Sequence, residues 1–187
     1  FWDAFDADIW NIRKHLSDDA FLAKAVLMLR AELFAWYASE KRRDPARPLY
    51  ELADLQLSML GSRDHRVLHA KAGESGTLMA FAFSFACKYQ EALTCGSALV
   101  NCGRGLMQYM AVTRASPLRM TVNSRQGLAD GIIRFLTYRE AAGVLWKPKC
   151  HLASHIVMDG GKFGNPLCTG TWNDESLNCQ LAAVCRT

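Results

Sequence analysis

The stretch SDDAFLAKAVLMLRAELFAWYASE, residues 17–40, decides the fold class. Phe21, Ala25, Leu29, Leu33 and Trp36 recur at spacings of three and four, which lines one face of an α-helix. Ser17-Asp18-Asp19 stands just ahead of that pattern and supplies oxygens that can accept from the unpaired N–H groups of a first helical turn. The spacing therefore predicts a helix over 18–40, and the same periodicity in front of it predicts another over 2–15.

Working outward, Arg43-Asp44-Pro45-Ala46-Arg47-Pro48 is a break, because two prolines cannot continue the helical hydrogen-bond ladder. A short helix is expected over 49–60, ending at Gly61. Longer ones are expected over Glu74–Gln90, Thr94–Thr113 and Asn123–Ala142, with Ser116-Pro117 as a second break. Residues 143–148 read as a connector, a helix of about ten residues as starting near Lys149, Asp159-Gly160-Gly161 as a turn, and a last helix as starting near Asn173. β-Branched residues are few and two-residue alternation is scarce, so no strand is predicted. The expected fold is mostly α, a multi-helix domain, with helices in 1–44 followed by a helical region over 49–187.

Composition agrees with a folded domain. Half of the 187 residues are hydrophobic and 21% are charged, which permits a sizeable core and excludes a disordered chain. The longest apolar run, Leu78–Cys87, is interrupted by Ser84 and falls short of the ~20 residues a membrane span needs. Phe1-Trp2-Asp3-Ala4 has no basic region of the kind that opens a secretory leader, and both ends are expected to be cuts through a longer protein. The 7 cysteines are odd in number and form no CxxC pair, so a reducing compartment is expected. A net charge of +4 permits a polyanionic partner without requiring one.

The residue types with chemistry gather near the C-terminal end. His151 and His155 lie one helical turn apart, beside Cys150, and Cys168 could add a third zinc ligand. Leu152 stands where a metalloprotease helix carries its glutamate, so packing on a half-buried helix is the plainer explanation of both histidines. Asp174-Glu175 is placed for the first turn of a helix, where carboxylates face the positive end of the dipole; a divalent-metal ligand is the functional alternative. Phe163-Gly164-Asn165-Pro166 reads as a structural turn. Gly103-Arg104-Gly105 follows no strand, so close packing of two helices explains it better than phosphate binding. Lys41-Arg42-Arg43 complements a helix C-terminus, and Asp64, His65 and His69 are read as surface residues.

Taken in order, four segments resemble a known family: Leu68-His69-Ala70-Lys71-Ala72-Gly73-Glu74-Ser75, then Lys147-Pro148-Lys149-x-His151-x-x-x-His155, then Phe163-Gly164-Asn165-Pro166, then Asp174-Glu175-Ser176-Leu177-Asn178. Their order over roughly residues 50–187 resembles the C-terminal half of eukaryotic DNA transposases with an RNase-H-like core, of the Plavaka and En/Spm type, and in particular divergent mobile-element copies of the dinoflagellate kind. The resemblance implies the helical insertion and final helix of that core. It implies Glu175 as the last catalytic, metal-binding carboxylate, holding Mg2+ or Mn2+ in the complete enzyme. It implies Lys149, His151, His155 and Asn178 as substrate- or DNA-binding residues, the two histidines positioning the site. DNA, the upstream catalytic part of the same polypeptide and a nuclear location follow as expectations, with metal-assisted strand cleavage and transfer as the reaction.

The family's two strand-borne aspartates have no counterpart here, and Gly73 and Gly76 stand where bulkier or charged residues are usual. The piece alone is therefore expected to be inactive, since one carboxylate cannot hold two ions. The alternative is a second class of function, a non-enzymatic helical interaction or structural module, in which Asp174-Glu175 is only a cap. A zinc-stabilised helical domain using Cys150, His151, His155 or Cys168 is the third.

Overall fold

A computed structural model describes residues 1–66, 68–144, 155, 157–158, 162 and 164–166. Among them are five α-helices: α1 (Trp2–Asp6), α2 (Asp18–Arg43), α3 (Ala72–Lys88), α4 (Gly96–Ala115) and α5 (Val122–Tyr138), with one 3₁₀ turn at Leu57–Leu60. No strand occurs among the described residues, where the one extended pairing is an isolated bridge between Gly61 and Arg66. The mostly α, multi-helix character read from the sequence is therefore what the chain adopts. No helix of the described residues is long and apolar enough to cross a membrane. The chain forms two compact units, Phe1–Val100 and Asn101–Thr187.

In the first unit α2 begins where the capping residues predict. Ser17 has extended backbone angles, and its Oγ accepts from the Ala20 N–H at 3.3 Å. Asp18 and Asp19 fill the first turn and Lys41, Arg42 and Arg43 the last, so charge opposes the dipole at both ends. Phe21, Ala25, Val26, Leu29, Leu33 and Tyr37 are buried. Tyr37, not Trp36, continues the inner stripe, because Leu33 to Tyr37 keeps the four-residue step; Trp36 is half-buried at its margin. Against this stripe packs an aromatic cluster in which Phe85 of α3 touches the rings of Phe1, Trp10, Phe81 and Tyr89.

Two helices expected from periodicity are not formed as predicted. The first, over 2–15, stops at Asp6. Asp8, Asn11 and His15 take positive φ angles of 45°, 51° and 64°, and the Asp8 carboxylate accepts from the N–H groups of Ile12 at 2.8 Å and Arg13 at 3.1 Å. A short acidic side chain thus takes donors that a helix would have used. The second, over 49–60, keeps only the 3₁₀ turn. Its backbone donors are met from neighbouring helices instead: Tyr37 Oη accepts from Leu52 N–H at 3.1 Å, and Thr77 Oγ1 from Tyr50 N–H at 3.2 Å. With those bonds supplied, Leu52, Leu55 and Leu60 reach the core without a helix. Trp2 Nε1 donates to the Leu60 carbonyl at 3.0 Å and ties α1 to the turn.

The longer helices match their predicted spans to within a few residues. α3 starts at Ala72, two residues before Glu74, because the Glu74 carboxylate reaches back to accept from the Lys71 N–H at 2.9 Å. Gly73 admits the ring of Tyr50; a Cβ there would lie 2.9 Å from Tyr50 Cγ.

In the second unit Thr121 caps α5, its Oγ1 accepting from Ser124 N–H at 3.1 Å. The sequence reading of Gly105 as a packing glycine holds. A Cβ on Gly105 would lie 2.5 Å from the Gly131 carbonyl oxygen, and one on Gly131 would lie 2.8 Å from the Gly105 carbonyl oxygen. α4 and α5 therefore cross backbone to backbone, with Gln108 Nε2 donating to the Gly127 carbonyl at 3.0 Å beside the crossing. The expected helix over 123–142 ends at Tyr138; a turn follows, and Gly143, with φ 69°, closes it.

The Gly164-Asn165-Pro166 turn is structural. Gly164 has φ 86°, and Asn165 is 1% exposed. Asn165 Nδ2 donates to the carbonyls of Thr113 and Ser116, both at 2.7 Å, and its N–H donates to the Leu118 carbonyl at 2.8 Å. These carbonyls belong to the end of α4 and the break after it, where no intrahelical donor is available. A residue about fifty positions later in the chain caps that helix.

Candidate functional site

Of the residues singled out by the transposase resemblance, Lys149, His151, Glu175 and Asn178 lie outside the described residues, as do Cys150 and Cys168 of the zinc alternative. His155 is described: it is helical and exposed. Among the described residues no three His, Cys, Asp or Glu side chains come together as a metal site. Lys41 and Arg43 have local partners, Lys41 in an ion pair with Glu51 at 2.6 Å and Arg43 with the buried Glu40, which also holds Arg47 at 2.8 Å. Asp64, His65 and His69 are exposed.

A carboxylate cluster does occur between α2 and α3. Glu32 accepts from Lys88 Nζ at 2.7 and 2.8 Å and from the Tyr89 hydroxyl. Burial raises the Glu32 carboxyl, but the hydrogen bonds from Lys88 and Tyr89 and the charge of Lys88 outweigh it and hold the group below its ordinary 4.5. Lys88 is correspondingly raised by its hydrogen bond to Glu32. These bonds tie α2 to the end of α3. By linkage, a depressed carboxyl stabilises the fold above its unfolded value and loses that contribution as pH falls through its folded value. Urea midpoints of the wild type and Glu32→Gln should differ at neutral pH and converge as the solution is taken below 4.5. A gap that stays constant with pH would contradict this.

The surface best suited to binding is on α2, and the sequence reading passed over it. Between Ala20 and Ser39 nine residues of this helix are exposed, and seven of them are alanine, leucine or phenylalanine; Lys24 and Ser39 are the exceptions. Leu27 is 59% and Phe34 41% exposed. Since the opposite side of the helix is the core stripe, α2 carries mostly apolar residues on both its buried and its exposed side between Ala20 and Ser39, which a helix with one face in water ordinarily does not. Beside Leu27 runs an open groove of about 620 Å³, walled by Leu22 and Val26 of α2 and by Leu55 and Leu57 of the segment that failed to become helix. Arg30 and Asp54, paired at 2.9 Å, stand on its two walls, and Asp19 adds a carboxylate on the α2 wall. The signal was present in the sequence: Lys24, Arg30 and Glu32 are the three charged residues between Ala20 and Ser39, too few to cover the outer side of five helical turns.

Comparison with known proteins identifies no relative. No protein-family model, no curated protein and no solved structure matches the chain.

Proposed function

We propose that this chain is a non-enzymatic helical interaction module whose binding surface is the outer side of α2 with the groove beside it. One observation supports the reading above others: seven of nine exposed residues from Ala20 to Ser39 are apolar, a concentration that monomeric surfaces avoid and binding surfaces use. The groove has the volume to take a few apolar side chains. The ligand class is the apolar face of another helical segment, with anchors spaced three or four residues apart and a basic residue placed to meet Asp19.

The test is selection from a displayed library of helical peptides on the full chain, with Leu27→Glu as the counter-target. Enrichment of peptides with apolar residues at helical spacing, lost on Leu27→Glu, is the expected result. Equal enrichment on both proteins, or none, would overturn the reading. The transposase alternative is carried by sequence motifs, and its decisive residue is Glu175. In the complete polypeptide Glu175→Gln would abolish metal-dependent strand transfer if that reading held.

A further inference from the structure

We infer that the partner of this surface is a second copy of the same chain, docked antiparallel through α2; this rests on the interaction-module reading and names its occupant. A symmetric dimer needs a surface complementary to itself about a two-fold axis. The outer side of α2 has that property in one register. With Ala31 beside the partner's Arg30 at the axis, Leu27 meets the partner's Phe34, and Ala23 meets the partner's Ala38. Asp19 meets the partner's Arg42. The acidic first turn, Asp18 and Asp19, thereby faces the basic last turn, Lys41, Arg42 and Arg43, at both ends of the interface.

Several observations fit that register. Asp19 and Arg42 form no ion pair among the described residues, so each is available to the other copy. Ala23, Ala31 and Ala38 are small and exposed, which lets two helix backbones approach closely. Leu27 lines the groove, so the partner's Phe34 crosses at a recess of about 620 Å³ able to receive a ring. Arg30, close to the axis, is neutralised by Asp54 at 2.9 Å, which removes the repulsion two arginines would otherwise bring there. Lys24 lies opposite the partner's Ala38 region, where its stem can cover alanine while the amine stays in water. A parallel dimer has none of this: it would set Asp19 against Asp19 and Arg42 against Arg42.

A helix of 26 residues is about 39 Å long, and a stripe about 10 Å wide along it buries on the order of 400 Å² per copy. That lies at the low end for specific association, so the dimer is weak and reversible.

Sedimentation velocity of the full 187-residue chain over a range of concentrations is the test, with helix content by circular dichroism as the folding control. The wild type should pass from monomer to dimer as concentration rises. Ala31→Arg, which sets an added cation beside the partner's Arg30 at the axis, should weaken the dimer at least about tenfold at unchanged helix content. Asp19→Lys and Arg42→Glu should each weaken it, and the double variant should recover it. The recovery keeps the test decisive even where one variant folds poorly. A wild type that stays monomeric, a dimer indifferent to Ala31→Arg, or single charge reversals that strengthen it would each overturn the inference. A monomeric chain that still selects helical peptides would overturn this inference alone and leave the interaction-module reading intact.

Discussion

Asn165→Asp should be the most damaging single substitution in the second unit, lowering stability by more than Asn165→Ala, which itself should cost about 2–4 kcal/mol. The amide of Asn165 is buried, and its two N–H bonds satisfy the carbonyls of Thr113 and Ser116. Alanine removes both donors, opens a cavity and strands two acceptors at the end of α4. Aspartate goes further and sets carboxylate oxygens against those carbonyls, in a place where an ion is poorly solvated. The charged form is penalised in the fold, so the pKa of the introduced carboxyl would be raised. Its destabilisation should then ease at acidic pH, where a protonated carboxyl regains one donor. Urea denaturation of the three proteins at neutral and acidic pH checks both parts. Equal midpoints for wild type and Asn165→Asp at neutral pH would show that the Asn165 amide does not hold the end of α4.

Gly105→Ala should destabilise by about 2 kcal/mol or more, although alanine is the better helix former by about 1 kcal/mol. The reason is what the new methyl group meets: the Gly131 carbonyl oxygen at 2.5 Å and the Phe135 nitrogen at 2.6 Å, both backbone atoms that yield only if the helices part. Gly127→Ala is the matched control on the same pair of helices. Its Cβ would meet the Cγ2 atom of Val112 at 3.2 Å, the end of a side chain that can shift. That variant should change stability by less than about 1 kcal/mol in either direction. Thermal or urea unfolding of the two variants separates a packing glycine from one that is merely small. Similar effects at both positions would remove the argument for a backbone crossing at Gly105 and Gly131.

The helices were legible in the sequence wherever local pattern and tertiary contact agree. α2 shows this best, since Ser17 caps it, Phe21 to Leu33 line its inner face, and the last-turn cations complete it. Pattern failed where partners distant in the chain decide the backbone. Residues 49–56 carry leucines at helical spacing, yet the hydroxyls of Tyr37 and Thr77 provide acceptors that hold the segment out of a helix. Residues 7–15 have helical composition, but Asp8 captures two backbone donors and left-handed residues interrupt the run. Asn165 announced a turn, and nothing local could say that its amide would cap α4, because the carbonyls it serves belong to residues 113 and 116.

The candidate site was less legible for a different reason. Histidine, cysteine and carboxylate drew the reading to residues 149–178, whereas the surface proposed for binding consists of alanine, leucine and phenylalanine. Such residues look like core until the buried side of their helix is known. Once Phe21, Ala25, Leu29, Leu33 and Tyr37 are placed inward, apolar residues such as Leu27 and Phe34 remain exposed on the other side of α2. Leu27 and Phe34, one above the other at a seven-residue interval, are then a surface feature needing its own explanation.

Whether a second copy of the chain covers the outer side of α2 is tested most directly by site-specific photo-crosslinking from position 38. With a benzophenone side chain in place of Ala38 in the full chain, an intermolecular adduct is expected whose mapped attachment falls near Ala23 of a second copy. Irradiation that yields monomer alone, or adducts scattered over the surface, would contradict it.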